Sequence, residues 1–219
     1  MRIVAMCNAG QYPMMRNMLN SAEKAGLPMD LFHCYVVKEQ KEVATYNTTE
    51  FHTITLKKLE VILQNLTLDE EVLWVDNDIV FFTNPLADLQ SKEGSIVFQD
   101  DGWSPCSGFF LARSNKPLVK DLFYNAIRLL KVDQNKLAND QHAIAHLLKC
   151  PELKDLHYIL LDREEYPNGD IYFNQSKTQK ARIVHNNYLY TTKEKEQRFK
   201  DHTMWSDAFD IKKVNLHFV

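Results

Sequence analysis

The sequence predicts an α/β fold in which a mostly parallel sheet carries helices on its faces. Three observations lead there. The chain opens with an apolar run, an amphipathic stretch and a second apolar run, the order of a β-α-β unit. The run Val72-Leu73-Trp74-Val75 lacks polar alternation and reads as a central strand buried on both sides. Further on, residues 118–130 place apolar side chains at helical spacing.

The elements follow in order. Residues 2–7 form the first strand, closed by the turn Asn8-Ala9-Gly10. Met14, Met15, Met18, Leu19 and Ala22 mark one face of a helix over 12–25, stopped by Gly26 and Pro28. Residues 31–37 are the second strand and 38–47 a polar loop. Thr55 is the expected cap of a helix whose apolar face is Leu56, Leu59, Ile62, Leu63 and Leu66. Strands are expected at 72–75, 79–82, 95–99, 109–112, 158–161 and 182–184. Asn139 caps a helix running to about residue 149, and 194–202 is the last helix. No linker or repeat interrupts this, so residues 1–219 read as a single domain, with a 45% hydrophobic fraction adequate for one core.

Composition excludes some functions. The net charge is −3 and the pI about 6.2. A basic stripe is missing, and the clusters at 177–182 and 193–200 read as solvated faces, so no nucleic-acid partner is expected. No run approaches the roughly 20 apolar residues of a membrane span, and no signal peptide is visible. Cys7, Cys34, Cys106 and Cys150 form no CxxC pair. Cys7 and Cys34 sit in apolar strands as buried thiols, which points to a reducing, cytoplasmic location.

The chemistry centres on Asp76-Asn77-Asp78, directly after the buried strand. Residues two apart in extended chain project to the same side, roughly 7 Å apart. Two carboxylates so close repel, and a divalent cation relieves that repulsion. Mg²⁺ or Mn²⁺ suits such oxygen ligands and keeps positions for phosphate. Ligands of open α/β sheets bind outside the carboxyl ends of the strands, where this pair falls. A plain polar turn is the alternative. A haloacid-dehalogenase-type phosphatase also places DxD after an apolar strand, but there the motif opens the domain. A nucleotidyltransferase would carry a glycine-rich basic loop near its start, and residues 7–12 contain one glycine and no Lys or Arg.

Together with four further stretches, the motif Leu73-Trp74-Val75-Asp76-Asn77-Asp78-Ile79-Val80-Phe81 resembles the nucleotide-diphospho-sugar transferases of the GT-A fold, the DxD glycosyltransferases. The motif order is similar to plant-type xylosyl- and arabinosyltransferases and to the N-terminal glycosyltransferase domain encoded by chlorella viruses. The resemblance implies a Rossmann-like, mixed and mostly parallel central sheet flanked by helices. It implies a UDP-sugar donor such as UDP-glucose, a glycan acceptor, Mn²⁺ or Mg²⁺, and transfer with retention. The nucleotide would lie at Asn8, Ala9 and Tyr12, against Lys57 of Thr55-Leu56-Lys57-Lys58, and at Asp76 and Asn77. Gly108 of Cys106-Ser107-Gly108-Phe109-Phe110 would line the sugar pocket, although Cys106 departs from the family's Asn. Asp140 and Gln141 would face the transferring sugar, with Asp140 and Asp101 as the candidate catalytic carboxylates. Asp100 is a second candidate beside Asp101, and Lys193 a second source of positive charge. The metal would be held by Asp76, Asp78 and His185 of Val184-His185-Asn186-Asn187, the imidazole being the neutral third ligand that the acidic pair calls for. A module that binds nucleotide sugar without turning it over is the competing function.

Overall fold

The computed structural model describes residues 1–38, 48–132, 139–175 and 179–219. Beyond Lys38, the loop expected over 38–47 lies outside the described residues, as does Lys177.

Strand β1 (Arg2–Asn8), helix α1 (Tyr12–Lys24) and strand β2 (Phe32–Val37) form the opening unit, and β1 pairs with β2 in parallel. Pro13 enters α1 in its first turn, where it forfeits no hydrogen bond. Gly26, at φ 81°, turns the chain out of it.

Helix α2 (Thr49–Leu68) starts earlier than the sequence suggested. Its cap is Thr48, which holds an extended backbone and accepts from the Phe51 amide. Thr55 lies inside the helix, is buried, and donates to the His52 carbonyl.

Strands β3 (Glu71–Val75) and β4 (Ile79–Phe81) flank the acidic turn, and helix α3 (Leu86–Ser91) follows the Asn84-Pro85 corner. Strands β5 (Ile96–Asp100) and β6 (Pro105–Arg113) precede helices α4 (Val119–Val132) and α5 (Asp140–Leu147). Asn139 caps α5 as expected, accepting from the His142 amide. Strands β7 (Tyr158–Leu160) and β8 (Ile183–His185), helix α6 (Thr192–Asp201) and strand β9 (Asn215–Phe218) complete the chain. Neither α3 nor β9 was expected.

The main sheet has the order β7-β5-β6-β3-β1-β2-β9. Every neighbouring pair is parallel except those made by β6, which runs against both β3 and β5. This is the mixed, mostly parallel sheet of the GT-A fold. Both faces are covered. Val72 and Trp74 pack with α2, α4 and α5 residues, while Leu73 and Val75 pack with α1 residues. That two-sided burial explains the unbroken apolar run of β3.

Two departures from regularity shape what lies at the carboxyl end of β3. The β5–β6 ladder passes from Phe98↔Phe110 to Gln99↔Cys106, so β6 carries extra residues, Gly108 among them, at a bulge. Strands β4 and β8 leave the main sheet and form their own antiparallel pair, with Ile79 opposite His185. The four cysteines are free, and burial pushes the Cys7 thiol up to about 12. Among the described residues, no helix is long and apolar enough to cross a membrane.

Candidate active site

The carboxyl end of β3 opens into a cavity of about 470 Å³, within the range of small-molecule sites. Asp76 leaves the strand with its amide still bonded to the Gly108 carbonyl, so β6 braces the start of the turn. Its carboxylate stays on the side of Trp74, whose indole N–H donates to Asp76 Oδ1 at 2.7 Å. Asp78 comes one residue before β4. Because β4 is registered against β8, His185 arrives beside it, with Nε2 3.3 Å from Asp78 Oδ1. One ligand atom from each of Asp76, Asp78 and His185 falls within 4.8 Å of the others.

Three observations test whether this trio fits a divalent cation. The space between the ligands is kept clear, because a Cβ on Gly108 would stand 2.3 Å from His185 Cε1 and 2.8 Å from Asp76 Oδ2. The imidazole is oriented. Gln99 donates from Nε2 to the carbonyls of Tyr166 and Pro167, which turns its Oε1 to His185 Nδ1 at 2.8 Å. An amide oxygen only accepts, so Nδ1 carries a proton and Nε2 is the nitrogen presented to the carboxylates. The donor set, two carboxylates and one imidazole, matches Mn²⁺ or Mg²⁺ with coordination positions to spare. The residues fit the ion.

The electrostatics are tightly balanced. Burial alone would raise the Asp78 pKa, but Lys195 Nζ at 2.6 Å and His185 hold it well below the usual carboxylate range. Burial disfavours a charged His185, yet Asp78 outweighs it and raises its pKa well above the ordinary value. Lys58 is buried between two carboxylates, with Nζ 2.9 Å from Asp140 Oδ2 and 3.1 Å from Asp76 Oδ1. Burial works against its charge, and Asp140 and then Asp76 overcome it, so it remains an ammonium. Asp140 itself is placed in the first turn of α5.

Several expected residues sit elsewhere. Lys57 does not line the cavity; α2 turns the next residue, Lys58, inward to Asp76 and Asp140. Lys193 is exposed, and Lys195 takes the place expected for it. Asn8, Ala9 and Tyr12 do not line the cavity either. The Asn8 side chain accepts from the Gln11 amide and caps the short helical turn after β1, while Tyr12 packs against the core on the α1 side. From this part of the chain, Met6, Gln11 and Met14 reach the cavity instead. Asn77 joins them. Its Nδ2 donates to the Met6 carbonyl at 2.6 Å, and its buried Oδ1 has no hydrogen-bond partner among the described residues.

Asp101 and Gln141 line the cavity, but their polar atoms are held by neighbours. Asp101 Oδ1 accepts from Asn168 and Asn187, both at 3.0 Å, and Oδ2 from Gln141 at 3.1 Å. Gln141 Oε1 in turn accepts from the Ser107 amide. The Asp101 carboxylate is thus a knot joining the β5 end, α5 and the segments around residues 168 and 187. Asp100 caps its own turn through the Gly102 amide. The Tyr188 hydroxyl donates to the Asp101 carbonyl, and burial followed by the Asp101 charge pushes that phenol up to about 12. Lys58, Lys195, Gln99, Asn168 and Trp103 were missed from sequence. Only Lys58 carried a signal, as the neighbour of the residue chosen.

Two carboxylates after the central strand β3 and an imidazole from β8 thus converge at one side of a mixed sheet, beside a cavity. A profile of the nucleotide-diphospho-sugar transferases matches residues 17–199, and the chain belongs to that family. This sets aside the phosphatase and nucleotidyltransferase alternatives. A Dictyostelium discoideum protein named UDP-galactose:fucoside alpha-3-galactosyltransferase is 27% identical over 216 residues, covering 83% of this chain and 33% of that protein. An Arabidopsis thaliana UDP-D-xylose:L-fucose alpha-1,3-D-xylosyltransferase is 25% identical over 203 residues, covering 76% of this chain and 53% of that one. The chain therefore spans between a third and about half of these relatives. Among solved structures, a glycosyltransferase involved in glycosylation of the major capsid of PBCV-1 superposes with TM-score 0.62 at 15% identity, covering 92% of this chain and all of that one. An active-site mutant of LgtC gives 0.62 at 11% identity, covering 87% and 89%. These two establish the fold.

Proposed function

We propose that the chain is a metal-dependent glycosyltransferase module that moves a sugar from a UDP-sugar to a hydroxyl of a glycan acceptor, with retention. One observation carries the reading: Asp76, Asp78 and His185 converge around a space that only a glycine at 108 leaves clear.

When bound there, Mn²⁺ or Mg²⁺ supplies Lewis acidity to the diphosphate leaving group. The protein does the rest. Lys195 offers a second positive charge beside Asp78 for the departing phosphate oxygens. Asn77 Oδ1, buried and without a donor among the described residues, accepts from a hydroxyl of the nucleoside. Asp140, held by Lys58, is the carboxylate best placed to stabilise positive charge growing on the sugar. Asp101 keeps Gln141 and the residue 187 segment in position and acts through them.

The names of the relatives support the stereochemistry. UDP-galactose and UDP-xylose are α-linked donors, and alpha products made from them keep the configuration. The same names make a fucoside the first acceptor to try.

Calorimetry with UDP, UDP-galactose and UDP-xylose, with Mn²⁺ and with chelator, tests the reading. Metal-dependent binding is expected, together with slow metal-dependent hydrolysis of a donor. Asp78→Ala should lower turnover by at least about 100-fold, as expected when a direct ligand is lost rather than one of its neighbours. Unchanged metal-dependent binding and hydrolysis in Asp78→Ala would sink the proposal. Tight binding without turnover would leave a binding module.

A further inference from the structure

Among the described residues, three of the ten large hydrophobic side chains that stand exposed line this one cavity: Trp103, Tyr188 and Tyr190, at 57%, 49% and 72% exposure. Scattered exposed apolar residues need no explanation, but a cluster at the mouth of a site does.

Trp103 is built to stay where it is. Gly102, at φ 88°, makes the turn that projects it, and Asp100 Oδ1 fixes that turn through the Gly102 amide at 2.7 Å. The indole leans on the His142 ring, with centroids 5.3 Å apart. His142 is itself pinned, its amide and Nδ1 both meeting Asn139 Oδ1 at 2.9 and 2.8 Å. The Tyr188 hydroxyl lies within hydrogen-bonding reach of the indole and donates to the Asp101 carbonyl. Tyr188 adopts φ 61°, a left-handed conformation that a non-glycine residue holds only when its surroundings fix it. Side chains immobilised while exposed lose little entropy on meeting a ligand.

Their position says which ligand. Met6, Gln11, Met14 and Asn77 come from the β1 and β3 ends and mark the nucleoside side of the ion site. Tyr188 is tied to Asp101, Trp103 lies two residues beyond Asp101 in the chain, and His142 follows Gln141 directly, on the side assigned to the donor sugar. Among the described residues the indole pairs with no charged group, so it suits a neutral molecule with an apolar face.

We propose that Trp103 is the floor of the acceptor subsite and that it stacks against the C–H face of a 6-deoxyhexose, whose methyl group replaces a hydroxyl and enlarges that face. Tyr188 and His142 hold the indole in place. This rests on the transferase reading above, and its test separates the two.

The experiment uses the wild type, Trp103→Ala and Trp103→Phe, each with Mn²⁺. It measures UDP affinity, donor hydrolysis without acceptor, and transfer from UDP-galactose and UDP-xylose to methyl fucoside, together with binding of methyl fucoside to the UDP-loaded protein. The alanine variant should weaken fucoside binding and raise the acceptor KM by at least about tenfold, as loss of a central Trp does in other interfaces. UDP affinity and donor hydrolysis should stay within about twofold, and the phenylalanine variant should recover most of the acceptor affinity. A wild type that hydrolyses donor yet neither binds nor glycosylates methyl fucoside overturns the acceptor assignment and leaves the transferase reading intact. A fall in UDP affinity in Trp103→Ala overturns it too, since the indole would then be serving the base. A wild type with no metal-dependent nucleotide binding at all defeats the underlying function.

Discussion

The parallel neighbours β1 and β3 end side by side, and both ends looked like nucleotide-binding segments. They behave differently. At the end of β3, Asp76, Asn77 and Asp78 direct side chains into the cavity. At the end of β1, Asn8 spends its side chain on the turn that follows, and Tyr12 packs against the core. The difference lies in what each backbone needs next. The β1 chain must enter a helix within a few residues, and its free amides take the nearest oxygen. The β3 chain runs on into β4, whose ladder with β8 satisfies the backbone and releases the side chains. A place at a strand's carboxyl end is therefore not enough. The backbone must have found its partners elsewhere.

Substitutions can break or sharpen that contrast. The largest effect is expected from Gly108→Ala, whose methyl group would meet His185 and Asp76. Mn²⁺ titration should show affinity reduced by about 100-fold or more, the upper end of what disturbed ligand neighbours cost. Retained far-UV circular dichroism would separate this from unfolding, and unchanged affinity would mean the cradle is roomier than described. Next come the adjacent lysines. Lys58→Met removes the cation between Asp76 and Asp140, and donor hydrolysis should fall by about 10–100-fold, with Tm lowered because the buried Asp140 and the partly exposed Asp76 lose their partner. Lys57→Met should leave both quantities nearly unchanged, within about 0.5 kcal/mol in stability. The reverse ranking would restore Lys57 as the functional residue. The smallest effect belongs to Asn8→Ala. It should cost about 1 kcal/mol in chemical denaturation, as other lost caps do, with UDP affinity unchanged. A clear loss of UDP affinity would return Asn8 to the site.

How much of this was legible beforehand depended on whether a signal was local. Val72-Leu73-Trp74-Val75 announced a doubly buried strand, since nothing else makes an unbroken apolar run of that length before two acids. His185 was reachable because two carboxylates call for a third ligand and a family motif supplied one. The Thr48 cap was hidden among several nearby threonines. Lys57 was implied by the resemblance, which places a lysine of this helix against the nucleotide, and two adjacent lysines offer themselves for it. Strand β9 alternates only weakly in burial, and its existence depends on an edge offered by β2, a tertiary fact. The engagement of Asp101 by three side-chain amides is likewise invisible in sequence, since its partners come from residues 141, 168 and 187. Trp103 drew no notice because an isolated aromatic in a loop has no periodicity to flag it.

The bulge in β6 has a consequence for how this segment can change over generations. Gly108 sits among the extra residues between the pairs Phe98↔Phe110 and Gln99↔Cys106. Volume-conserving substitutions along the buried β6 are tolerable in principle, but a change of length is not. Deleting one residue there would shift every later side chain of the strand to the opposite face of the sheet. It would also slide Gly108 away from His185. Gene copies carrying such a deletion would lose core packing and ion site in a single event, so this stretch should keep its length even where its letters drift.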